Sequence, residues 1–502
     1  MTRKNIHLSE KIKFSSFVNS FPMSNQYRSI LKATTIFGGT QLFQILFNLL
    51  RSKSIALLVG VMGMGMTTMY NTSLNIIITL FGMGINVSVV NQLTKAYDDG
   101  DNERISLIVS IFQRLTLLLA GSSVLFVCAC SPLLSKLSFD EYNHTGNYCL
   151  LSLIVVTTLL QQCNTAILVS MRKIKDIAIS SVLSSFATLI VSVPFFYFLR
   201  YDGIVPGLIF SSLCNWLITW FFVKRLRIKR KKVSKKIFTT YSYQFISLGM
   251  AMVLSSLIGA IAVYGINVFV VSYGEIDDIG LYSAAMAIVT QSVVLVFSSM
   301  SSDYYPRLLT SLKDKDLMNS TVNQQTEIII LIASPILMAM IYFSPLVIKI
   351  LLSQKFLVMA PLMRILCIGM FLKACSYTLG YVSLAFGEKK VYTFLEGIYG
   401  NAVTVILSIM FYYFFGLNGL GYAVVVDFLL YYIVISLFNK YRYGYLIDRG
   451  IIMLLAKSFG AILLLFFMSQ YLSELYFYIF GGILLAAESL YCLILLKRKI
   501  SI

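Results

Sequence analysis

Apolar stretches about 20 residues long, broken by short polar segments, recur along this chain, the pattern of helices that cross a membrane. They fall near residues 31–58, 65–93, 105–129, 147–169, 177–199 and 203–223, then 243–270, 279–305, 324–345, 358–386, 391–415 and 418–438, with two more at 451–470 and 475–496. Fourteen spans put both termini on one side. The first span departs from a uniform apolar rod. At about 100° per residue, Thr34, Gln41, Gln44, Asn48, Arg51 and Ser52 share one face, an arc of roughly 100°. Lipid offers such a stripe no hydrogen bonds, so it is expected to face other helices or a water-filled cavity. Span 4 carries a shorter stripe, Thr157, Gln161 and Asn164.

Composition removes the soluble classes. Of 502 residues, 58% are hydrophobic and 13% charged, with mean hydropathy +0.80, whereas soluble domains carry about 25% charged residues. The eight cysteines lie in or beside apolar segments without metal-ligand spacing and read as core residues. Placing the N-terminus in the cytoplasm puts 31 of the 41 Lys and Arg in inner segments and four in outer loops, the asymmetry of a correct topology. The net charge of +19 is therefore a membrane signature and calls for no nucleic acid. Residues 1–30 read as a cytoplasmic tail without a cleavable signal, 224–242 as a basic cytoplasmic linker and 497–502 as a cytoplasmic tail.

The chain also repeats. FFYFLRYDG at 195–203 returns as FYYFFGLNG at 411–419, Lys173 matches Lys389 at the same offset of 216, and Gly65 matches Gly280 at 215. The expected architecture is all-α: a six-helix bundle at 31–223, a homologous bundle at 243–438 in the same orientation, and two appended helices at 451–496. Parallel repeats around a polar stripe form a transporter's plan, with the substrate near the midplane. Outer loops are short, and only His7 and His144 are present. No phosphate-cradling loop, metal cluster or Ser/His/Asp arrangement is visible, so no enzyme, cofactor or metal is expected.

The run LLRSKSIALLVGVMGMG at 49–65, followed by a span reaching FGMGI at 81–85 and echoed by GLYSAAM at 280–286, resembles the amino-terminal signature of bacterial polysaccharide flippases. These are the O-antigen and capsule translocases of the multidrug/oligosaccharidyl-lipid/polysaccharide (MOP) exporter superfamily, whose fold is MATE-like. The resemblance implies movement of an undecaprenyl-diphosphate-linked oligosaccharide between leaflets of the bacterial cytoplasmic (inner) membrane by alternating access. It further implies membrane lipid as partner, H+ or Na+ coupling in the absence of an ATP motif, and a neighbouring polysaccharide polymerase. The alternatives are a drug or cation exporter of the same superfamily and a lipid II-type flippase.

Charge supports a cationic cavity. A Lys, Arg or Asp at mid-membrane costs roughly 2.5–3.5 kcal/mol on insertion scales, so each requires a reason. The candidate cavity cations are Arg51, Lys53, Arg114, Lys373 and Arg364, although Lys53 lies off the stripe and Arg364 is near enough to the outer end to snorkel. Related flippases place an arginine at the position of Arg51. Gln41, Gln44, Asn48, Gln161, Asn164, Asn267 and Gln291 are candidate cavity polar groups, and Asp427 and Glu396 candidate coupling carboxylates. Lys457 and Glu488, at equal depth in the last two spans, suggest a neutralising pair, whereas the resemblance to fourteen-span relatives implies that these two spans flank a groove for the polyprenyl tail.

Overall fold

A computed structural model describes residues 25–229, 231–299 and 304–500. Among them all regular structure is helical. The first half comprises α1 (Asn25–Leu58), α2 (Gly60–Gly82), α3 (Ile85–Asp98), α4 (Asn102–Phe139), α5 (Thr145–Ser170), α6 (Ile174–Leu199) and α7 (Ile204–Lys224). After the linker come α8 (Lys235–Tyr273), α9 (Ile276–Ser299), α10 (Tyr305–Ser311), α11 (Lys315–Tyr342), α12 (Ser344–Leu351) and α13 (Ala360–Ala385). Then follow the short α14 (Lys389–Tyr392), a π-helical turn (Thr393–Tyr399), α15 (Gly400–Tyr443), α16 (Arg449–Tyr471) and α17 (Glu474–Ile500). Ten helical stretches among the described residues are long and apolar enough to cross a membrane, or eleven with the bent pair α2/α3 counted as one. The apolar stretches at 105–129, 147–169, 177–199, 243–270, 451–470 and 475–496 each lie within one helix. The expected span 11 runs from α14 through the π-helical turn into α15, which also carries span 12 and kinks at Gly416 (φ 55°, ψ −142°). The second span breaks by 45° where Met83 and Gly84 both take left-handed backbone, near φ 43° and 58°.

Helices turn back on their sequence neighbours, and α1 lies along α6. We call the end carrying residues 224–235 the linker end and the opposite one the far end. The repeat is visible in backbone contacts. A Cβ added to Gly203 would strike the Phe195 carbonyl oxygen, and one added to Gly419 would strike that of Phe411, the same turn 216 residues later. The halves meet about a pseudo-twofold axis. At the far end Gly65 sits against the Ile276 carbonyl oxygen while Gly280 sits against that of Val61, reciprocal contacts at offset 215 that only residues without Cβ permit. Thr68 donates to Ser283, again 215 residues on, at 2.9 Å.

The two halves are filled differently. In α13 most side chains from Leu362 to Ala385 are buried, in one apolar core with α9, α11 and the inner faces of α16 and α17. The face of α6 toward α1 instead carries Ser180, Ser184 and Thr188. The expected Lys457–Glu488 pair is not formed. Buried Glu488 accepts from Ser334 at 3.1 Å and Ser458 at 2.7 Å, while Lys457 lies 3.7 Å over the Tyr491 ring.

Candidate functional site

The polar stripe of α1 ends in a cavity of about 320 Å³ inside the first half, between α1, α5, α6 and α7. Gln44, Asn48 and Arg51 line it from α1, and Gln161 and Thr165 from α5. The opposite wall is α6, with Ser180, Ser181, Ser184, Ser185 and Thr188, and α7 closes it with Asn215 and Thr219. At about 30 Å³ per molecule the space holds roughly ten waters. Arg51 lies seven residues, about 10 Å, from the far end of its helix. Its buried Nε meets no hydrogen-bond partner among the described residues. Among the described residues no acidic side chain lines the cavity.

Local bonding sets this face. Ser181 donates to the Ile177 carbonyl at 2.8 Å, Ser185 to that of Ser181 at 3.0 Å, and Thr188 to the Asn215 side chain at 3.2 Å. Each hydroxyl keeps lone pairs for the cavity while spending its proton within the protein. A second space of about 540 Å³ lies between α3 and α5, lined by Asn86, Asn91, Thr158 and Gln162 and sharing Gln161 and Thr165 with the first. Asn86 donates to Gln162 at 3.1 Å. A polar path thus leads from α3 past Gln161 and Thr165 toward Arg51.

The far end of the interface between halves is laced shut. Asn267 donates to Thr72 at 3.3 Å, Ser138 and Tyr264 share a hydrogen bond of 2.8 Å, and Thr68 meets Ser283. Lys53 completes this seal. Its ammonium donates at 2.8 Å to the Ile350 carbonyl, in the last turn of α12, where helical carbonyls lack intrahelical donors. Lys53 is thus turned away from the cavity, because it stands two residues, about 200°, round the helix from Arg51.

Other expected site residues also lie elsewhere. Arg364 is drawn to the far-end periphery, donating to Ser344 at 2.8 Å and the Ser469 carbonyl at 3.3 Å, with its guanidinium 5.5 Å from the Phe477 ring. Arg114 projects from α4 into a lateral groove and lies 5.1 Å from the Phe238 ring. Lys373 is inside the second half, 5.2 Å over Phe428, within electrostatic reach of buried Asp427. Asp427 accepts from Thr404 at 2.6 Å. Asn164 is buried behind the cavity wall, 3.5 Å from Thr219, and also lines the lateral groove. Gln41 is partly buried two turns before Asn48, outside the cavity lining. Gln291 is half-buried, its side-chain oxygen without a partner among the described residues. The side chains of Glu396 and Thr34 lie outside the described residues.

The serine face of α6, with Asn215 and Thr219 of α7, was absent from the expected site. Its signal was present: Ser180, Ser184, Thr188 and Ser192 recur every four residues through an apolar span. Serine bonds its own helix so readily that such a run reads as neutral filling.

A sequence profile described as polysaccharide biosynthesis protein matches residues 65–361, more than half of the chain. The chain belongs to the polysaccharide biosynthesis protein family. This polysaccharide biosynthesis protein is 22% identical over 320 residues to a Shigella flexneri protein named "Putative O-antigen transporter", covering 62% of this chain and 74% of the relative. Its fold matches that of the lipid II flippase MurJ in an inward closed conformation with TM-score 0.70 at 15% identity, over 93% of this chain and 100% of that one. An inward-facing multidrug-resistance MATE transporter of the MOP superfamily matches with TM-score 0.69 at 15% identity, over 80% and 94% of the two chains. The fold is therefore that of the MOP-superfamily transporters, and the family member described here is a multi-pass membrane protein.

Proposed function

We propose that the chain is a flippase for oligosaccharides carried on undecaprenyl diphosphate, such as O-antigen, capsule or exopolysaccharide repeats, in the bacterial cytoplasmic membrane. One observation carries this reading: in a polysaccharide biosynthesis protein, a guanidinium with an unpartnered Nε heads a membrane cavity otherwise lined mainly by hydroxyls and amides. A guanidinium offers five donors in a planar fork suited to phosphate oxygens, and hydroxyls and amides suit sugars. A lipophilic cation would be repelled there, which argues against a drug exporter.

In this reading the chain makes fourteen spans in two bundles plus two helices, with both termini and the linker end in the cytoplasm. The cargo enters from the linker end past Asn86 and Gln161, and its diphosphate meets Arg51. The far-end seal at Lys53, Thr68 and Gly65 then opens as the halves rock. Asp427, held by Thr404 beside Lys373, is the candidate site for H+ or Na+ coupling, and a polysaccharide polymerase would consume the product.

The test is in the host, with the gene deleted and then restored as wild type or Arg51→Ala. A membrane-impermeant lectin reports which leaflet holds the lipid-linked oligosaccharide. Inner-leaflet accumulation on deletion, cured by wild type and not by normally expressed Arg51→Ala, is expected. Unchanged surface glycan together with raised sensitivity to toxic cations would replace the flippase by a drug exporter.

A further inference from the structure

The lateral groove that holds Arg114 is a second built site. It lies at the linker end between α4, α5 and α7, on the flank of the first half, and encloses about 320 Å³. An adjoining space of about 180 Å³ shares Ser110, Gln113 and Trp220 with it. The linker is pinned to make its rim. Ser106 donates to the Lys229 carbonyl, the Lys231 amide donates to Ser110 at 3.0 Å, and the Lys231 ammonium pairs with Glu103 at 2.8 Å. The chain after α7 therefore climbs along α4 to within one turn of Arg114.

The lining is polarised. Lys231 stands beside Arg114, and Lys224, Arg227 and Lys229 border the adjoining space. Among the described residues no acidic side chain lines either space, and Glu103 nearby is engaged by Lys231. Arg114, twelve residues and about 18 Å along α4 from its start, has an aromatic neighbour in Phe238 and no ion pair among the described residues. Exposed on the groove one turn beyond the linker contact at Ser110, its guanidinium is open to an anionic partner. Leu117, Leu160, Trp216 and Trp220 form the apolar part of the wall, and these are the two tryptophans of the chain. Cations on the wet rim, tryptophan at the boundary and leucine within match an amphiphile whose head is anionic.

We propose that this groove binds the phosphate headgroup of an anionic bilayer lipid from the leaflet at the linker end, with Arg114 on the phosphate, the Lys231–Glu103 pair at the rim and the acyl chains along Trp216 and Leu117. The site is separate from the Arg51 cavity and stands whether or not the flippase reading does.

The tryptophans make it readable. The full-length chain, in phosphatidylcholine nanodiscs, is titrated with brominated phosphatidylglycerol or brominated phosphatidylcholine, and tryptophan quenching is measured. Phosphatidylglycerol should quench at markedly lower mole fraction. Arg114→Gln should reduce that preference about fivefold, and Lys231→Gln, on the exposed rim, by a similar factor. Equal quenching by the two lipids, or a preference unchanged in both variants, overturns the proposal. Inorganic phosphate should not relieve the quenching, and relief would make this a soluble-anion site instead. Relief by undecaprenyl diphosphate at far lower concentration than by unlabelled phosphatidylglycerol would assign the groove to cargo and equally overturn it.

Discussion

The two halves of this chain share one fold and treat buried charge in opposite ways. In the second half Lys373 and Asp427 lie near one another, and Asp427 is held by Thr404 within a densely packed core. The corresponding positions of the first half, at the offset of 216, are Thr157 and Ser211, both neutral: Thr157 donates to Ser212 at 2.9 Å and Ser211 to the Gly207 carbonyl at 2.6 Å. The charge of the first half stands instead in a wet cavity, at Arg51, with no acid on the cavity wall. A neighbouring opposite charge lets a packed interior carry a cation, whereas a cation in a membrane cavity without an acid on the described wall is arranged for a ligand that brings the missing charge. Duplication thus supplied two similar frames, and substitution made one of them receptive to anions.

That contrast can be broken at several points. The largest effect is expected at the shared axis. Gly65→Val would force a side chain into the Ile276 backbone, with overpacking of about 1–3 kcal/mol against the far-end-closed state. Cysteine labelling from the far-end face should show the cavity opening roughly tenfold or more often, and transport should fall. Asp427→Asn removes the charged acceptor of the Thr404 hydroxyl beside Lys373 and should lower thermal stability in detergent by about 1–3 kcal/mol. A double-mutant cycle with Lys373→Met should show coupling between the two positions, and additive losses would mean that the two charges are not coupled. Lys53→Gln removes a charged donor from the last turn of α12 and should loosen the far end by about 1 kcal/mol, read by the same labelling. The smallest change is expected for Ser184→Ala combined with Ser180→Ala. Stability should hold within about 1 kcal/mol, while affinity for a glycosylated lipid diphosphate falls a few-fold and that for the bare lipid diphosphate does not.

Much of this arrangement was legible before any coordinates. The spans, the repeat and the stripe through Gln44, Asn48 and Arg51 follow from local periodicity, and a charge within an apolar run is conspicuous. What stayed hidden depended on distant partners. Arg364 is claimed by Ser344 and Ser469, the latter 105 residues away, and Lys53 by a carbonyl 297 residues on. Arg114 reads as a cavity cation until the linker, more than a hundred residues later, folds against α4. The α6 serines were missed for a different reason: Ser180, Ser181, Ser185 and Ser192 bond their own helix while Ser184 Oγ has no partner among the described residues, and the sequence carries their spacing without any sign of which face is wet.

The most direct test of the central claim is binding by the purified chain in nanodiscs, comparing undecaprenyl diphosphate with undecaprenol by native mass spectrometry for wild type and Arg51→Gln. Wild type should prefer the diphosphate by at least about tenfold, as expected for charge-assisted hydrogen bonds of about 1.5–3 kcal/mol, and Arg51→Gln should erase that preference while still binding the polyprenol. Equal binding of the two lipids by wild type, or an undiminished preference in Arg51→Gln, would contradict the assignment of Arg51 as the anion site.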